Sequence, residues 1–242
     1  MPALLLLVLL ALSGLFLGNS FFRTEQQTFP RVRAAYANRW PGLQAELRRR
    51  RLNPTELEVY VRVFKIGKRV EVWARNQGPE PFQLFRQYAL AGTSGTLGPK
   101  RRAGDGQVPE GCYRINRFNP NSLYHLSLGL DYPNAADLAL HEPTPGGDIF
   151  IHGSNVTVGC LPITNACVEE LYVRAVEARA AGQQDIPVHI FPFALNTTDL
   201  DARWASPHYA FWKTLAPFYT YFEQHHQLPP VLIDAAGSYR LR

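Results

Sequence analysis

Residues 55–76 hold two stretches of strict apolar–polar alternation joined by a short turn, and this pattern limits the fold of the 242-residue chain more sharply than any other. Leu57, Val59, Val61 and Val63 fall on one side, against Glu56, Glu58, Tyr60 and Arg62 on the other. A period of two is that of a strand with one face buried. After Gly67-Lys68 the alternation resumes, with Val70, Val72 and Ala74 against Arg69, Glu71, Trp73 and Arg75. Two such runs about a glycine-containing turn predict a β-hairpin.

Further strand-like runs follow at 82–91, 112–118, 124–130, 148–152 and 186–191, separated by segments rich in Gly, Pro and Asn. Between the last two, residues 166–181 place Val168, Leu171, Tyr172 and Ala175 at helical spacing, with Asn165 as the expected N-cap and Glu169 and Glu170 in the first turn. Residues 24–52 show the same spacing through Val32, Ala35, Tyr36, Trp40, Leu43 and Leu47, interrupted by Pro41, which predicts two short helices. Residues 207–226 form an aromatic helical segment expected to pack on the domain and to cover one side of its cleft. Hydrophobic residues make up 46% and charged residues 19%, so the chain has a core to bury and is an α+β protein with one main domain.

Residues 3–17 are apolar and are followed by Gly18-Asn19-Ser20, a small-x-small pattern that fits an export signal, or else an uncleaved membrane anchor at 1–20. The run is shorter than the ~20 residues of a spanning helix. The formal charge of +5 comes from scattered basic residues, apart from Arg48 to Arg51 and Lys100 to Arg102. No aromatic-plus-basic module accompanies them, so the balance suits an anionic envelope polymer and not a nucleic-acid partner. Three cysteines, Cys112, Cys160 and Cys167, leave at least one free thiol unless the protein is cross-linked to another chain. A Cys112–Cys167 pair and two packing cysteines are both open readings.

The segment Asp148-Ile-Phe-Ile-His152-Gly153-Ser154-Asn155-Val156-Thr157-Val158-Gly159-Cys160 sets a histidine and a cysteine close together. Sulfur attacks as the thiolate, and a thiol with pKa ~8.5 is only a few per cent ionised near neutrality, so a neighbouring imidazole that takes the proton activates it. A glycine before the nucleophile allows a tight turn and brings backbone amides toward a substrate carbonyl. If Ser154-Asn155 reverses the chain into a regular hairpin, His152 faces Thr157. Cys160 then falls on the other face of the sheet, unless the strand breaks at Gly159. Read without a base, Cys160 is a small buried hydrophobe and His152 a satisfied strand-end histidine.

His152-Gly-x-x-x-Thr157-x-Gly159-Cys160 resembles the active-site signature of the L,D-transpeptidase catalytic domain (YkuD-type) family. Leu97-Gly-Pro-Lys100, residues 104–111, Phe118-Asn-Pro-Asn-Ser122, residues 124–134 and residues 183–193 resemble the YafK-like subgroup of that family. The likeness spans about 55–195, with Val158 where most members carry an auxiliary histidine. It implies a β-rich catalytic domain at 55–195; the helical segment at 21–54 before it and the aromatic helical extension at 196–242 after it are read from their own spacing and lie outside the likeness.

The resemblance also implies a peptidoglycan enzyme, exported to the periplasm or cell envelope, that acts on stem peptides and an amine acceptor without a metal or organic cofactor. Cys160 is then the nucleophile and His152 the general base, oriented by the Gly153 carbonyl. Gly159 and Cys160 amides stabilise the oxyanion, Thr157 holds the loop, and Tyr124 and His125 are substrate contacts. The rivals are a hydrolase at the same bond and an inactive peptidoglycan-binding module.

Overall fold

The computed structural model describes residues 21–140 and 144–242; the leader expected at 1–20 lies outside them. An eight-stranded mixed sheet forms the centre, made of β1 (Leu57–Phe64), β2 (Arg69–Asn76), β3 (Gln83–Ala89), β4 (Gly111–Asn119), β5 (Ser127–Leu130), β6 (Phe150–His152), β7 (Leu161–Pro162) and β8 (Ile186–Phe191). Their spatial order is β3-β2-β1-β8-β4-β5-β6-β7. After a short helical stretch at 21–26, the main helices are α1 (Pro30–Arg49), α2 (Ala135–Leu140), α3 (Asn165–Ala180), α4 (Thr197–Asp201) and α5 (Tyr209–His225), and a separate hairpin, β9 (Val231–Ile233) with β10 (Tyr239–Leu241), follows α5. The α+β expectation holds. The terminal hairpin has no counterpart in the sequence reading.

The predicted β1–β2 hairpin forms in register, with Val61 opposite Val72. Its polar face, however, is covered. Val59, Val61 and Val63 enter the main core with α1 and α3, while Tyr60 and Trp73 pack with Phe82 and Phe222 of α5 on the opposite face. Arg62 stays charged there because Glu71 lies 2.7 Å and Glu223 2.6 Å from its guanidinium. Buried charge is tolerated only when paired in this way. The alternation therefore marks two different environments, one aliphatic and one aromatic and ionic.

One continuous helix replaces the two expected around Pro41, which lies inside α1. Proline removes one i→i−4 hydrogen bond and costs about 3 kcal/mol in a helix interior. Val32, Ala35, Leu43 and Leu47, buried on both sides of it, hold the helix together by packing. The N-cap of α3 is Thr164, whose hydroxyl accepts from Cys167 N, and not Asn165. This helix is buried nearly all round, between the sheet and α1, with Tyr36 Oη donating to Glu177 at 2.7 Å. No helix among the described residues is long and apolar enough to cross a membrane.

Candidate active site

The expected hairpin after His152 does not form. β6 and β7 are parallel neighbours, His152 beside Pro162 and Ile151 beside Leu161, so residues 153–160 loop out and return to the same end. Local hydrogen bonds hold this crossover. Thr157 Oγ1 accepts from Cys160 N at 3.0 Å and donates to Cys160 O at 2.9 Å, closing a four-residue turn on itself. Gly159 sits at φ +86°, a conformation that disfavours any residue with a Cβ. Asn165, freed from capping, accepts from Ser154 N at 2.8 Å and pins the start of the loop to α3. Gly153 is packed so closely that a Cβ there would lie 2.4 Å from Asn165 Oδ1 and 2.6 Å from Tyr124 O.

The crossover and the β4–β5 loop enclose a cavity of about 280 Å³ lined by Ser122, Leu123, Tyr124, Asp148, Phe150, His152 and Cys160, together with Asn119 and Ser127. The thiol and the imidazole thus share one cavity. His152 is buried, its Nδ1 2.5 Å from Gly153 O. A carbonyl can only accept, so Nδ1 carries the proton and Nε2 is left as the basic nitrogen. The Tyr124 ring lies against the imidazole, centroids 4.6 Å apart. Burial holds the His152 pKa below the ordinary imidazole value, opposed by the bond to Gly153, so the ring is neutral near pH 7.

Cys160 is half-buried, and its Sγ lies 3.4 Å from the Phe150 amide, which donates to it, and 3.5 Å from Asp148 O, which accepts. Burial pushes its thiol pKa up. The Phe150 N–H and Lys100 favour the thiolate, and the Asp148 carboxylate disfavours it. A thiol in this state needs a base to react near neutrality.

The other residues singled out from sequence are dispersed. His125 turns away, its Nε2 2.9 Å from Glu169 Oε1 on α3, and does not line the cavity. His189 is buried against Tyr60 Oη at 2.9 Å and held down to a pKa of about 3 by burial and Arg62. All three cysteines are free: Cys112 packs in the aromatic cluster beneath α5 and Cys167 against the core on the other side of the sheet, which rules out a bond between them. No residue after Cys160 lines the cavity, so α5 does not cover it. Gly159 N donates to Ser94 Oγ at 2.7 Å and Cys160 N is engaged by Thr157, so both amides near the thiol are held by hydroxyls. Sequence reasoning passed over Ser94, Asp148 and Phe150. Only the Gly146-Gly147 pair before Asp148 and the small-residue run 92–95 hinted at close backbone approaches there.

Fold and site together define a class: an α+β protein with a cysteine behind a left-handed glycine and a carbonyl-oriented histidine at one end of a mixed sheet. The chain belongs to the L,D-transpeptidase catalytic domain family (YkuD), which matches residues 58–190. It is 33% identical over 183 residues to YafK of Escherichia coli (strain K12), covering 75% of this chain and 72% of that protein. Among solved structures it is similar to the helical cell shape determining protein Pgp2 of Campylobacter jejuni, with 17% identity, TM-score 0.45 and 74% of each chain covered. Bd1075 of Bdellovibrio bacteriovorus is similar at 17% identity and TM-score 0.42, with 73% of this chain and 77% of that one covered.

Proposed function

We propose that this protein is an L,D-transpeptidase acting on peptidoglycan stem peptides in the cell envelope, through an acyl-enzyme on Cys160. The observation that carries the reading is the thiol and the Gly153-oriented imidazole lining one cavity. His152 Nε2 takes the thiol proton as sulfur attacks the carbonyl on the L side of an L-to-D peptide bond. The C–N bond then breaks, and the same nitrogen returns the proton to the leaving amine. The Gly153 carbonyl supports the imidazole where a carboxylate does so in a Ser-His-Asp triad. The Cys160 amide serves the oxyanion by exchanging Thr157 Oγ1 for the developing charge, and Gly159 shapes the turn. Tyr124, stacked on His152, borders the bound peptide. His125 acts indirectly, by fixing the 122–125 loop to α3.

The thioester is released by the amine of a second stem peptide. Hydrolysis at the same bond is a second reading, favoured by the absence of α5 from the cavity wall, since transfer must keep water from the thioester. The deciding experiment incubates the full chain with a tetrapeptide-bearing muropeptide and a graded amine acceptor and weighs the products. Amine-exchanged product exceeding free tripeptide establishes transfer, and tripeptide at every acceptor concentration establishes the hydrolase. Cys160→Ala forms neither product, whereas Cys112→Ser and Cys167→Ser retain most activity. Turnover by Cys160→Ala excludes the acyl-enzyme.

A further inference from the structure

Between β3 and β4 the chain makes a long strap, residues 90–110, that packs against the Gly159 side of the Cys160 turn without lining the thiol cavity. Its contact with the turn is specific. Ser94 Oγ accepts from Gly159 N at 2.7 Å, and the Gln107 carbonyl lies 3.1 Å from where a Gly159 Cβ would stand. Gln107 also ties the strap to itself, its Oε1 accepting from Thr96 N at 2.8 Å and its Nε2 donating to Thr96 Oγ1 at 3.0 Å. The root of the strap is held from inside the protein. Lys65 Nζ donates to Gly98 O and Val108 O, both at 3.0 Å, and pairs with the fully buried Glu110 at 2.9 Å. Glu110 in turn accepts from Gly98 N and from Trp212 Nε1 of α5, both at 2.8 Å.

A serine acceptor at this point has a physical consequence. The peptide on either side of a glycine turns more freely than any other, and Gly159 immediately precedes the nucleophile. Thr157 holds the Cys160 side of the turn, and the Gly159 side is held by Ser94. Loss of the Ser94 acceptor frees the Gly159 amide to rotate. Turning that peptide changes φ at Gly159, the torsion through which the chain enters Cys160, and so the direction from which Sγ meets a carbonyl in the cavity. Near-attack geometry tolerates little such movement.

We propose that Ser94 is a positioning residue for the Cys160 nucleophile, acting through the Gly159 amide on a strap rooted at Lys65 and Glu110. The proposal rests on Cys160 being the nucleophile. Ser94 touches no reacting atom, so its effect is confined to reactions that need an aligned carbonyl.

The test compares two probes on the full-length protein by time-resolved intact-protein mass spectrometry. Iodoacetamide needs only a thiolate, whereas a carbapenem must place its strained carbonyl over the sulfur. In Ser94→Ala, carbapenem acylation of Cys160 falls about tenfold, equivalent to about 1.4 kcal/mol of barrier, while alkylation stays within twofold and the melting temperature is unchanged. Ser94→Thr, which keeps the hydroxyl, restores acylation. Unchanged acylation in Ser94→Ala overturns the proposal. So does a parallel loss of both rates together with melting temperature, which marks a merely structural serine. A wild-type protein that alkylates at Cys160 but is never acylated there sinks the acyl-enzyme reading itself, and this inference with it.

Discussion

At the scale of single residues, Asp148 bears on the Cys160 thiol through both its backbone and its side chain. It occupies φ +56°, a region costly for a residue with a side chain. Its carbonyl faces the Cys160 Sγ, and its carboxylate, 82% exposed, pairs with Arg117 at 2.9 Å. An exposed pair contributes about 0–1 kcal/mol, too little to account for the strain. The carboxylate does act on the thiol: it raises the Cys160 pKa, against Lys100 and the Phe150 N–H. Asp148→Asn removes that negative charge, so the alkylation-versus-pH curve of Cys160 moves to lower pH. An unmoved or upward-shifted curve counts against this role. With His152 as the proposed base, its burial places the acidic limb of the pH–rate profile below the ordinary imidazole value of about 6.5, a limb at or above that value counting against the assignment.

Among elements, α1 and the β6–β7 crossover show how packing overrides a local signal. Pro41 reads as a helix break, yet the helix runs through it because the residues on either side are buried against α3 and the sheet. The proline is exposed and its missing N–H leaves the Ala37 carbonyl without its intrahelical donor. Pro41→Ala therefore stabilises the protein by about 1–3 kcal/mol, seen as a higher urea midpoint at unchanged slope. A lower midpoint means the proline fits its site better than the helix argument allows. The crossover deceives in the opposite sense. Ser154-Asn155 looks like a hairpin turn, but the chain continues to Gly159 and returns parallel, with Asn165 and Thr157 satisfying the amides that a ladder would otherwise pair. This path removes the facing problem of a regular hairpin, since Cys160 need not alternate with His152.

On the scale of the whole molecule, one buried ion pair joins the end of β1 and helix α5 to the strap. Glu110 is 0% exposed and is bonded by Lys65, by Gly98 N and by Trp212 of α5. The aromatic C-terminal helix is therefore tied to the active-site region through the root of the strap and not by covering the cleft. Removing one partner of a buried pair leaves the other charge uncompensated, at a cost of about 3–5 kcal/mol. Glu110→Ala loses that amount in urea denaturation. A loss below 1 kcal/mol shows that Lys65 finds water or another partner.

The strand alternation, the helix before β8, the α+β class and the nomination of Cys160 and His152 as site candidates were legible in the sequence. Each of these is carried by periodicity or by a contiguous motif, and both are local. Tertiary structure alone decided that α1 passes Pro41, that β7 is parallel to β6, that His125 turns to Glu169 while Tyr124 stacks on His152, and that Ser94 holds Gly159. Those outcomes depend on partners many residues away in the chain. A side chain's hydrogen-bond acceptor or a helix's buried face is chosen by what the rest of the fold brings beside it, and one-dimensional spacing does not carry that information.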